Sequence, residues 1–462
     1  MRDDGMAAIS DRELAPQGST PLLRTLAGDW LAADEAGYRA AWDAYLRETA
    51  IRCLLYDNTV AGERYLGWNA LALDRALLAR LVAATEALGR VFARAARAVQ
   101  HDPATLEELG FPWAVAEMLA NEPILPLLSP IGRFDFLLDE TGEWRLLEYN
   151  SDTPSGVRET IGAERLLHAR LPDRARFRRL GAGLATRLRR AFARLLAAAP
   201  RPVRRLGLVT DAGYAEDLAQ LLFLRELLRG VGPEIVLGDV GNLIVRRGRV
   251  LLLGQEVQAL YRLYPVERLY GQAVFPGLVE AALAGRLLLL NPLAALLAQD
   301  KALLAWIWEH REAAIFTPAE RRAIVRHLPE TYLVTRAPAD LDRRAFVVKE
   351  FFGREGEEVY FGAGVSDEDW LRCQEWRTFV VQRAVVSQEV EDVIWRGDVL
   401  QRVQRVPCVG SYLADGRWGG LYVRLGERIT TNQAQHVGAF VERGGGLVRR
   451  GDRRRTRNRP AR

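Results

Sequence analysis

Acidic and amide side chains lie close together in one short stretch of the 462-residue chain. The segments IGRFDFLLD (131–139) and WRLLEYN (144–150) are both largely apolar, and only ETGE separates them. Thr141 and Gly142 suit a two-residue β-hairpin loop, so this stretch predicts two antiparallel strands. Such a loop places Glu140 opposite Glu143 and thereby fixes the pairing of the residues beyond them.

The predicted register forms three further cross-strand pairs: Phe136 with Leu147, Asp135 with Glu148, and Arg133 with Asn150. Because side chains alternate along a strand, one face carries the polar residues and the other carries Phe134, Phe136, Leu147 and Tyr149. Opposed carboxylates repel each other unless a cation neutralises them. Two carboxylates and an amide oxygen suit Mg²⁺, with water and phosphate oxygens completing its shell. An exposed polar face, partly neutralised by Arg133, is the alternative.

Lysine is nearly absent from the chain. Of 64 basic residues, 62 are arginine and only Lys301 and Lys349 are lysine. These exceptions are candidates for positions where the wide, planar guanidinium group cannot replace a compact ammonium group. A small cation close to a transferring phosphate oxygen is one such requirement. Retention of both lysines by chance is the alternative.

The neighbours of both lysines favour a nucleotide site. Lys349 ends the strand-like run FVV (346–348), and GREG (353–356) and the run VYF (359–361) follow it. A strand, a glycine-containing turn and a second strand are typical of a flap whose backbone N–H groups cover phosphates. Lys301 follows Asp300 in a helical pattern that continues to Trp308.

The loop after the hairpin, SDTPSG (151–156), consists of small and hydroxyl-bearing residues. Backbone and hydroxyl donors in such a loop can approach a ligand closely. Ser151, Thr153 and Ser155 are therefore candidate substrate-binding residues. An ordinary turn is the alternative.

Composition limits the class of protein. The chain is 49% apolar and 27% charged, which is typical of a globular protein of more than one domain. Residues 449–462 contain eight arginines and one aspartate, a charge of +7, so the remainder carries 5 − 7 = −2. We interpret residues 443–462 as a disordered basic tail. A nucleic-acid contact of this tail is the alternative, but it lacks the aromatic residues typical of such sites.

The cysteines and histidines are too scattered for a disulfide framework or a zinc site: Cys53, Cys373 and Cys408, with His101, His168, His310, His327 and His436. This pattern favours a reducing, cytoplasmic location. The first fifteen residues lack a secretory signal, and no apolar run is long enough to span a membrane.

Taken together, these segments resemble the glutathionylspermidine synthase family of ATP-grasp ligases. The similarity runs in order over about seventy per cent of the chain, from residue 110 to residue 442. Its segments are RFDF (133–136), LLEYNSDTPSG (146–156), YRLYP (261–265), NPLAALLAQDKALLAWIWE (291–309), VVKEFFGREG (347–356), VVQRA (380–384) and GGLYVRLGERITTN (419–432). EYNSDTP and GREG are the more specific of these motifs.

The resemblance implies a role for each candidate residue. Three correspond to magnesium ligands: Asp135, Glu148 and Asn150. Two arginines correspond to groups at the phosphate end: Arg133, which steadies the transferring phosphoryl group, and Arg424, with Asn432 nearby. The nucleotide-binding positions are Lys301 and Lys349 at the ATP phosphates, Gly353, Arg354, Glu355 and Gly356 in the lid, and Gln382 beside the adenine.

The resemblance also implies the fold. It predicts an α/β protein with a circularly permuted ATP-grasp fold, because the acidic ligands precede the lysines along the chain. We expect five regions: an N-terminal helical region (1–108), the first part of the ATP-grasp domain with the metal-binding hairpin (109–200), a pre-ATP-grasp-like α/β domain (201–292), the nucleotide-binding part with its lid (293–442), and the basic tail (443–462). The helical pattern of the first region includes residues 71–99.

The predicted activity is an ATP- and Mg²⁺-dependent carboxylate–amine ligase that forms an amide bond through an acyl phosphate. A small-molecule or peptide acid and an amine would be its substrates. Two departures weaken the inference of substrate identity: Glu350 replaces a proline common in the family, and Arg383 replaces a glutamate. The given residues show no counterpart of the amidase domain of two-domain members, so the hydrolytic half of that activity is not expected. Alternatives are a phosphotransferase or phosphohydrolase on the same fold, and an ATP-binding protein without turnover.

Overall fold

The computed structural model describes residues 22–443, apart from residues 57, 58, 61, 172, 354–358, 397 and 398. These ranges form an α/β fold, as predicted. Its α-helices are Ala27–Ala33, Glu35–Cys53, Arg75–Val99, Pro103–Glu108, Trp113–Asn121, Glu164–Ala169, Leu184–Ala197, Ala215–Leu227, Val266–Tyr270, Phe275–Leu283, Leu293–Gln299, Lys301–Glu309, Pro318–His327 and Asp367–Trp376.

The largest sheet of the described part has nine strands, and we call it the central sheet. Its main path, in spatial order, is Arg24–Thr25, Leu66–Leu73, Gln435–Glu442, Arg417–Gly426, Val399–Ala414, Ile131–Leu138 and Trp144–Asn150. Two further strands pair outside this path, Phe177–Arg179 and Val390–Arg396. Among the described strands of the central sheet, only Leu66–Leu73 and Gln435–Glu442 pair in parallel.

The N-terminal region differs from its predicted helical character at residues 66–73. This segment is a fully buried strand of the central sheet, and the helix begins only at Arg75. Asp74 caps that helix by accepting a hydrogen bond from the N–H of Leu77 at 2.7 Å. Leucine and alanine periodicity could not separate the buried strand from the helix, because both present continuous apolar surface.

Residues 201–292 contain an all-parallel sheet with the order Leu288–Leu289, Ala259–Arg262, Arg205–Thr210 and Glu234–Asp239. A small antiparallel sheet lies beside it, formed by Leu243–Arg246, Arg249–Leu252 and Gln255–Val257. The helix Ala215–Leu227 connects the paired strands Arg205–Thr210 and Glu234–Asp239, which is the α/β pattern expected for this region.

A four-stranded antiparallel sheet carries Lys349, and we call it the lysine sheet. Its order is Thr331–Leu333, Phe379–Arg383, Phe346–Glu350 and Val359–Phe361. The two strands predicted around the glycine-containing turn are therefore confirmed. A separate pair of short strands, Thr59–Val60 and Glu63–Arg64, completes the described sheets.

The hairpin of residues 131–150 has a longer loop than predicted. The N–H of Asp139 donates to the carbonyl of Glu143 at 2.9 Å, so three residues rather than two form the loop. Gly142 in this loop has a φ of 79°, a left-handed conformation that favours glycine. The predicted pairing of Glu140 with Glu143 is therefore wrong.

A β-bulge restores the predicted register at the polar end of the hairpin. Phe136 pairs with Leu146 rather than with Leu147, whereas Asp135 pairs with Glu148 as predicted. Leu146 takes the predicted core position beside Phe136, and Leu147 packs in a separate small cluster. The extra residue of the bulge compensates for the extra residue of the loop, so the polar pairs are unchanged.

The helix Arg75–Val99 covers the apolar face of the central sheet. Phe92 from this helix packs against Phe134 and Tyr149, with ring centroids 5.4 and 5.1 Å apart. Phe134 and Tyr149 stack on each other at 3.8 Å. This packing fixes which face of the hairpin is turned inward, and it leaves the polar face for the candidate site.

Candidate active site

Polar side chains from four strands share one face of the central sheet. Asp135 pairs with Glu148 on one side and with Gly410 on the other, and Gly410 pairs with Tyr422. Residues directly opposite each other in a sheet project to the same face. Arg424 lies two residues beyond Tyr422 and therefore joins this face.

Two arginines bind the Asp135 carboxylate. Arg133 donates from Nε to Oδ1 at 2.7 Å and from Nη2 to Oδ2 at 3.0 Å, while Arg424 Nη2 donates to Oδ2 at 3.1 Å. Asp135 is 1% exposed. Burial works against the charge on Arg133, but the adjacent Asp135 carboxylate holds the pKa of Arg133 well above its ordinary value. The carboxylate thus keeps two guanidinium groups close together.

Gly410 makes room for Arg133. A Cβ atom at Gly410 would lie 2.7 Å from Cδ of Arg133 and 2.9 Å from the carbonyl oxygen of Tyr422. Both distances are shorter than van der Waals contact allows. The absence of a side chain in the middle of this strand therefore lets Arg133 cross the sheet towards Tyr422.

The lysines approach the other carboxylate of the hairpin. Lys301 Nζ lies 3.5 Å from Oε2 of Glu148 and donates to the carbonyl of Gly353 at 2.6 Å. Burial alone would raise the pKa of Glu148, but the ammonium groups of Lys301 and Lys349 and the amide of Asn150 lower it to about 2. Glu148 is therefore ionised at neutral pH.

Lys349 is held by the two sheets that meet at the site. Its Nζ donates to Oε1 of Gln382 at 2.6 Å and to the carbonyl of Leu147 at 3.2 Å. Leu147 is the extra residue of the β-bulge, so the bulge supplies an acceptor for this lysine. Burial lowers the pKa of Lys349 to about 8, with Glu148 opposing the change.

Three oxygen-bearing side chains converge where a metal is expected. The Asn150 amide nitrogen lies 3.4 Å from Oδ2 of Asp135 and 3.1 Å from Oε1 of Glu148. Two carboxylates and the oxygen of the Asn150 amide, once that group turns, would form a hard donor set that suits Mg²⁺. No cluster of three or more His, Cys, Asp or Glu side chains suited to a metal occurs in the described part of the chain.

The loop of residues 151–156 contacts the site mainly through its backbone. The carbonyl of Ser155 accepts hydrogen bonds from Arg133 Nη1 at 3.1 Å and from the Tyr412 hydroxyl at 2.5 Å, and its side chain is exposed. Thr153 is half-buried. The Ser151 hydroxyl donates to the carbonyl of Ala295 in the protein interior. Its side chain therefore anchors the loop, and this placement does not support a substrate contact by that hydroxyl.

The remaining predicted residues lie at the edges of the cluster. Gly353 joins it through its carbonyl, Gln382 is buried beside Lys349, and Asn432 is exposed. Arg354, Glu355 and Gly356 of the predicted lid lie outside the described residues.

Sequence reasoning did not identify the buried ion pair that fixes the loop. Asp152 binds Arg262 through both oxygens, at 2.8 and 2.5 Å, and also accepts from the N–H of Val266. Asn291 donates to the carbonyls of Asp152 and Arg262. The positions of Asp152 in EYNSDTP and of Arg262 in YRLYP were the available signals. Their pairing across 110 residues could not be predicted from spacing.

The described helices are each too short or too polar to cross a membrane. The three cysteines lie in described segments, are buried, and form no disulfide with one another.

The fold is that of an ATP-grasp-type ligase. A family model described as "Glutathionylspermidine synthase preATP-grasp" matches residues 35–442, and the chain belongs to this family of synthetases. The structure is similar to a glutathione synthetase-like effector from Globodera pallida in its apo form, with a TM-score of 0.55, 10% identity, and coverage of 80% of this chain and 88% of that one.

A putative γ-glutamylcysteine synthetase from Methylobacillus flagellatus matches with a TM-score of 0.42 and 11% identity, over 74% of this chain and 86% of that one. The comparison with curated proteins finds no match.

Proposed function

We propose that the protein is an ATP- and Mg²⁺-dependent ligase that joins a carboxylic acid to an amine. The observation that carries this proposal is the charge of the site. The largely buried cluster contains two carboxylates and four cations, namely Arg133, Arg424, Lys301 and Lys349. Its net charge is therefore 4 − 2 = +2. We call these six residues, including Asp135 and Glu148, the phosphate cluster. An excess of buried positive charge favours a polyanionic ligand such as a nucleoside triphosphate.

The geometry supports a division of the phosphate cluster into two ends. Lys301 and Lys349 lie where the hairpin meets the lysine sheet, and we assign them to the nucleotide phosphates. Arg133 and Arg424 lie on the far side of Asp135, and we assign them to the transferred phosphoryl group. Asp135, Glu148 and Asn150 would hold Mg²⁺, which when bound neutralises charge on the phosphate oxygens.

The proposed reaction has two steps. An oxygen of the acid attacks the terminal phosphorus of ATP, the bond to the bridging oxygen breaks, and an acyl phosphate and ADP form. The neutral amine then attacks the acyl carbon, phosphate leaves, and the amide remains after the nitrogen loses a proton. Positioned charges rather than covalent protein chemistry would accelerate the first step.

The test begins with nucleotide binding. Calorimetry with a non-hydrolysable ATP analogue should show Mg²⁺-dependent binding to the wild type. Lys349→Ala should weaken that binding, and Asp135→Asn/Glu148→Gln should remove its dependence on Mg²⁺. Arg344→Ala is the matched control, because Arg344 is exposed beside the same sheet and pairs only locally with Asp342.

The second measurement separates a ligase from other ATP-using enzymes. ADP release that requires both an acid and an amine supports the ligase. Release with water alone would indicate a phosphohydrolase, and release with one acceptor alone would indicate a phosphotransferase. A folded wild type that binds no nucleotide would contradict the proposal.

We also propose a cytoplasmic location, because three scattered cysteines without CxxC spacing fit a reducing compartment. Its small-molecule or peptide substrates are proposed as a class, with the acid and the amine to be identified by the ADP-release screen. The five regions expected from the sequence remain our proposed domain division.

A further inference from the structure

Tyr422 lies beneath both arginines of the phosphate cluster. The guanidinium carbon of Arg133 is 5.1 Å from the centre of its ring, and that of Arg424 is 5.7 Å away. Both distances fall within the range in which an aromatic ring attracts a cation. Asp135 binds the same two arginines, so each guanidinium group contacts one carboxylate and one aromatic ring.

The Tyr422 ring is itself fixed by its neighbours. His436 stacks on it with a centroid distance of 5.0 Å and an interplanar angle of 14°. The Tyr422 hydroxyl lies 2.8 Å from that of Tyr65, which in turn donates to Oε1 of Glu159 at 3.1 Å. Glu159 begins a short π-helix, Glu159–Ala163, and is buried. A ring held at its face and at its hydroxyl has little freedom to turn.

The groups that support Tyr422 add no positive charge next to the arginines. Burial lowers the pKa of His436 to about 4, so its ring is neutral at pH 7. Burial also raises the pKa of Tyr422 to about 12, so its hydroxyl keeps its proton. The arginines therefore rest on an uncharged ring.

We propose that Tyr422 is a positioning residue that holds Arg133 and Arg424 together at the distance needed by the transferred phosphoryl group. Two guanidinium groups repel each other, and Asp135 alone offers them only its two oxygens. The aromatic ring supplies a second attraction shared by both. This inference rests on the proposed function for its catalytic consequence, whereas the arrangement of the arginines can be tested without activity.

The kinetic test compares two replacements of Tyr422. Tyr422→Met keeps a side chain of useful volume but removes the aromatic face, and kcat should fall about tenfold or more. Tyr422→Phe keeps the ring and should stay within about threefold of wild type. The KM for ATP should change by less than about threefold in both, because the lysines are untouched. The control is Tyr38→Phe, which loses a buried hydroxyl hydrogen bond to the Trp68 carbonyl elsewhere in the fold.

Crystal structures of the same variants supply a readout independent of turnover. In Tyr422→Met we expect the contact between Arg424 and Asp135, 3.1 Å here, to open, and in Tyr422→Phe we expect it to persist. An unchanged arginine pair in the Met variant would overturn the positioning role, even if the protein proves to be a ligase. Displaced arginines in Tyr422→Met, together with a wild type that releases no ADP, would support positioning and contradict the proposed function.

A third measurement covers the case in which Tyr422→Met does not fold. Phenylalanine analogues with increasing numbers of ring fluorines, placed at position 422, weaken the attraction for cations with little change in volume. The value of kcat should then fall stepwise with fluorine number. A kcat independent of fluorination would overturn the proposal, as would an equal loss in the Phe and Met variants.

Discussion

At the scale of single residues, the space around each charge decides which side chain can serve. Lys349 is 6% exposed, and its ammonium group lies between Gln382 and the Leu147 carbonyl, 2.6 and 3.2 Å away. A planar guanidinium group is wider and cannot occupy such a gap without displacing one partner. This explains in physical terms why lysine stands here in a chain whose other basic residues, except Lys301, are arginines.

Lys349→Arg should therefore behave as a loss-of-function change although it conserves charge. We expect affinity for the ATP analogue to fall by about 10–100-fold, as measured by calorimetry. The control is Arg383→Lys on the same sheet, which alters an exposed ion pair with Glu330 and should have little effect. Wild-type affinity in Lys349→Arg would show that only the charge matters.

Gly410 gives a second prediction at the residue scale. Gly410→Ala would force Arg133 away from Asp135, since the new Cβ meets Arg133 and the backbone of Tyr422. We expect a loss of about 1–3 kcal/mol in the free energy of unfolding, measured with denaturant, together with lower ADP release. Gly364→Ala is the control because, apart from its chain neighbours, no described residue has an atom within 4 Å of the added Cβ. Equal effects of the two substitutions would contradict the steric argument.

At the scale of elements, the start of the helix Lys301–Glu309 is buried together with its cap. Asp300 accepts a hydrogen bond from the N–H of Ala302 at 2.8 Å and is 1% exposed. Its other oxygen has no partner among the described residues. Burial raises the pKa of Asp300 from 3.8 to about 8. Between these two pH values the folded protein keeps a proton on Asp300 that the unfolded chain has released.

This difference makes stability depend on pH with a definite sign. Folding raises the pKa of Asp300. The contribution of Asp300 to the free energy of unfolding is therefore fully present below pH 4 and is lost as the pH rises towards 8. Asp300→Asn keeps the cap but does not ionise. The measured quantity is the free energy of unfolding of the variant minus that of wild type. This difference should be about 1–3 kcal/mol more positive at pH 8.5 than at pH 5.

Denaturant unfolding at the two pH values measures this gain. Asp342→Asn is the control, since Asp342 also caps a turn of helix but is exposed. Parallel stability curves for wild type and Asp300→Asn would contradict the prediction.

At the scale of the whole molecule, one buried ion pair joins the hairpin loop to the parallel sheet. Asp152 follows the hairpin of residues 131–150, and Arg262 ends a strand of that sheet. The exposed fractions of the two side chains are 0% and 3%. Removing one partner leaves an uncompensated buried charge, which is far more costly than losing an exposed pair.

Arg262→Met should therefore lower the free energy of unfolding by about 3–5 kcal/mol. The double variant Asp152→Asn/Arg262→Met should be less destabilised than the sum of the single variants, because it leaves no unpaired charge. Arg372→Met, which breaks an exposed helical pair with Glu368, should cost less than about 1 kcal/mol. Denaturant unfolding of Asp152→Asn, Arg262→Met, the double variant and Arg372→Met measures these free energies. Losses in the double variant equal to the sum of the two single losses would refute a coupled pair.

The sequence by itself determined which side-chain types meet at the candidate site and most of its local elements. The opposition of Asp135 to Glu148 followed from alternation along two short strands, and the scarcity of lysine identified Lys301 and Lys349. The Asp135–Glu148 pair is confirmed, because the bulge at Leu147 offsets the longer loop. The nucleotide role of the two lysines stays a prediction. The similarity of ordered motifs indicated the family, which the match over residues 35–442 confirms.

Only the tertiary structure decided how these parts meet. The longer loop and the bulge at Leu147 could not be predicted, since each is a one-residue change and the two offset each other. The strand Leu66–Leu73 depends on pairing with Gln435–Glu442, more than 360 residues away. Likewise, the support of two arginines by Tyr422 requires strands from distant parts of the chain to become neighbours. Contacts of this kind are set by the burial of whole surfaces, which no local pattern records.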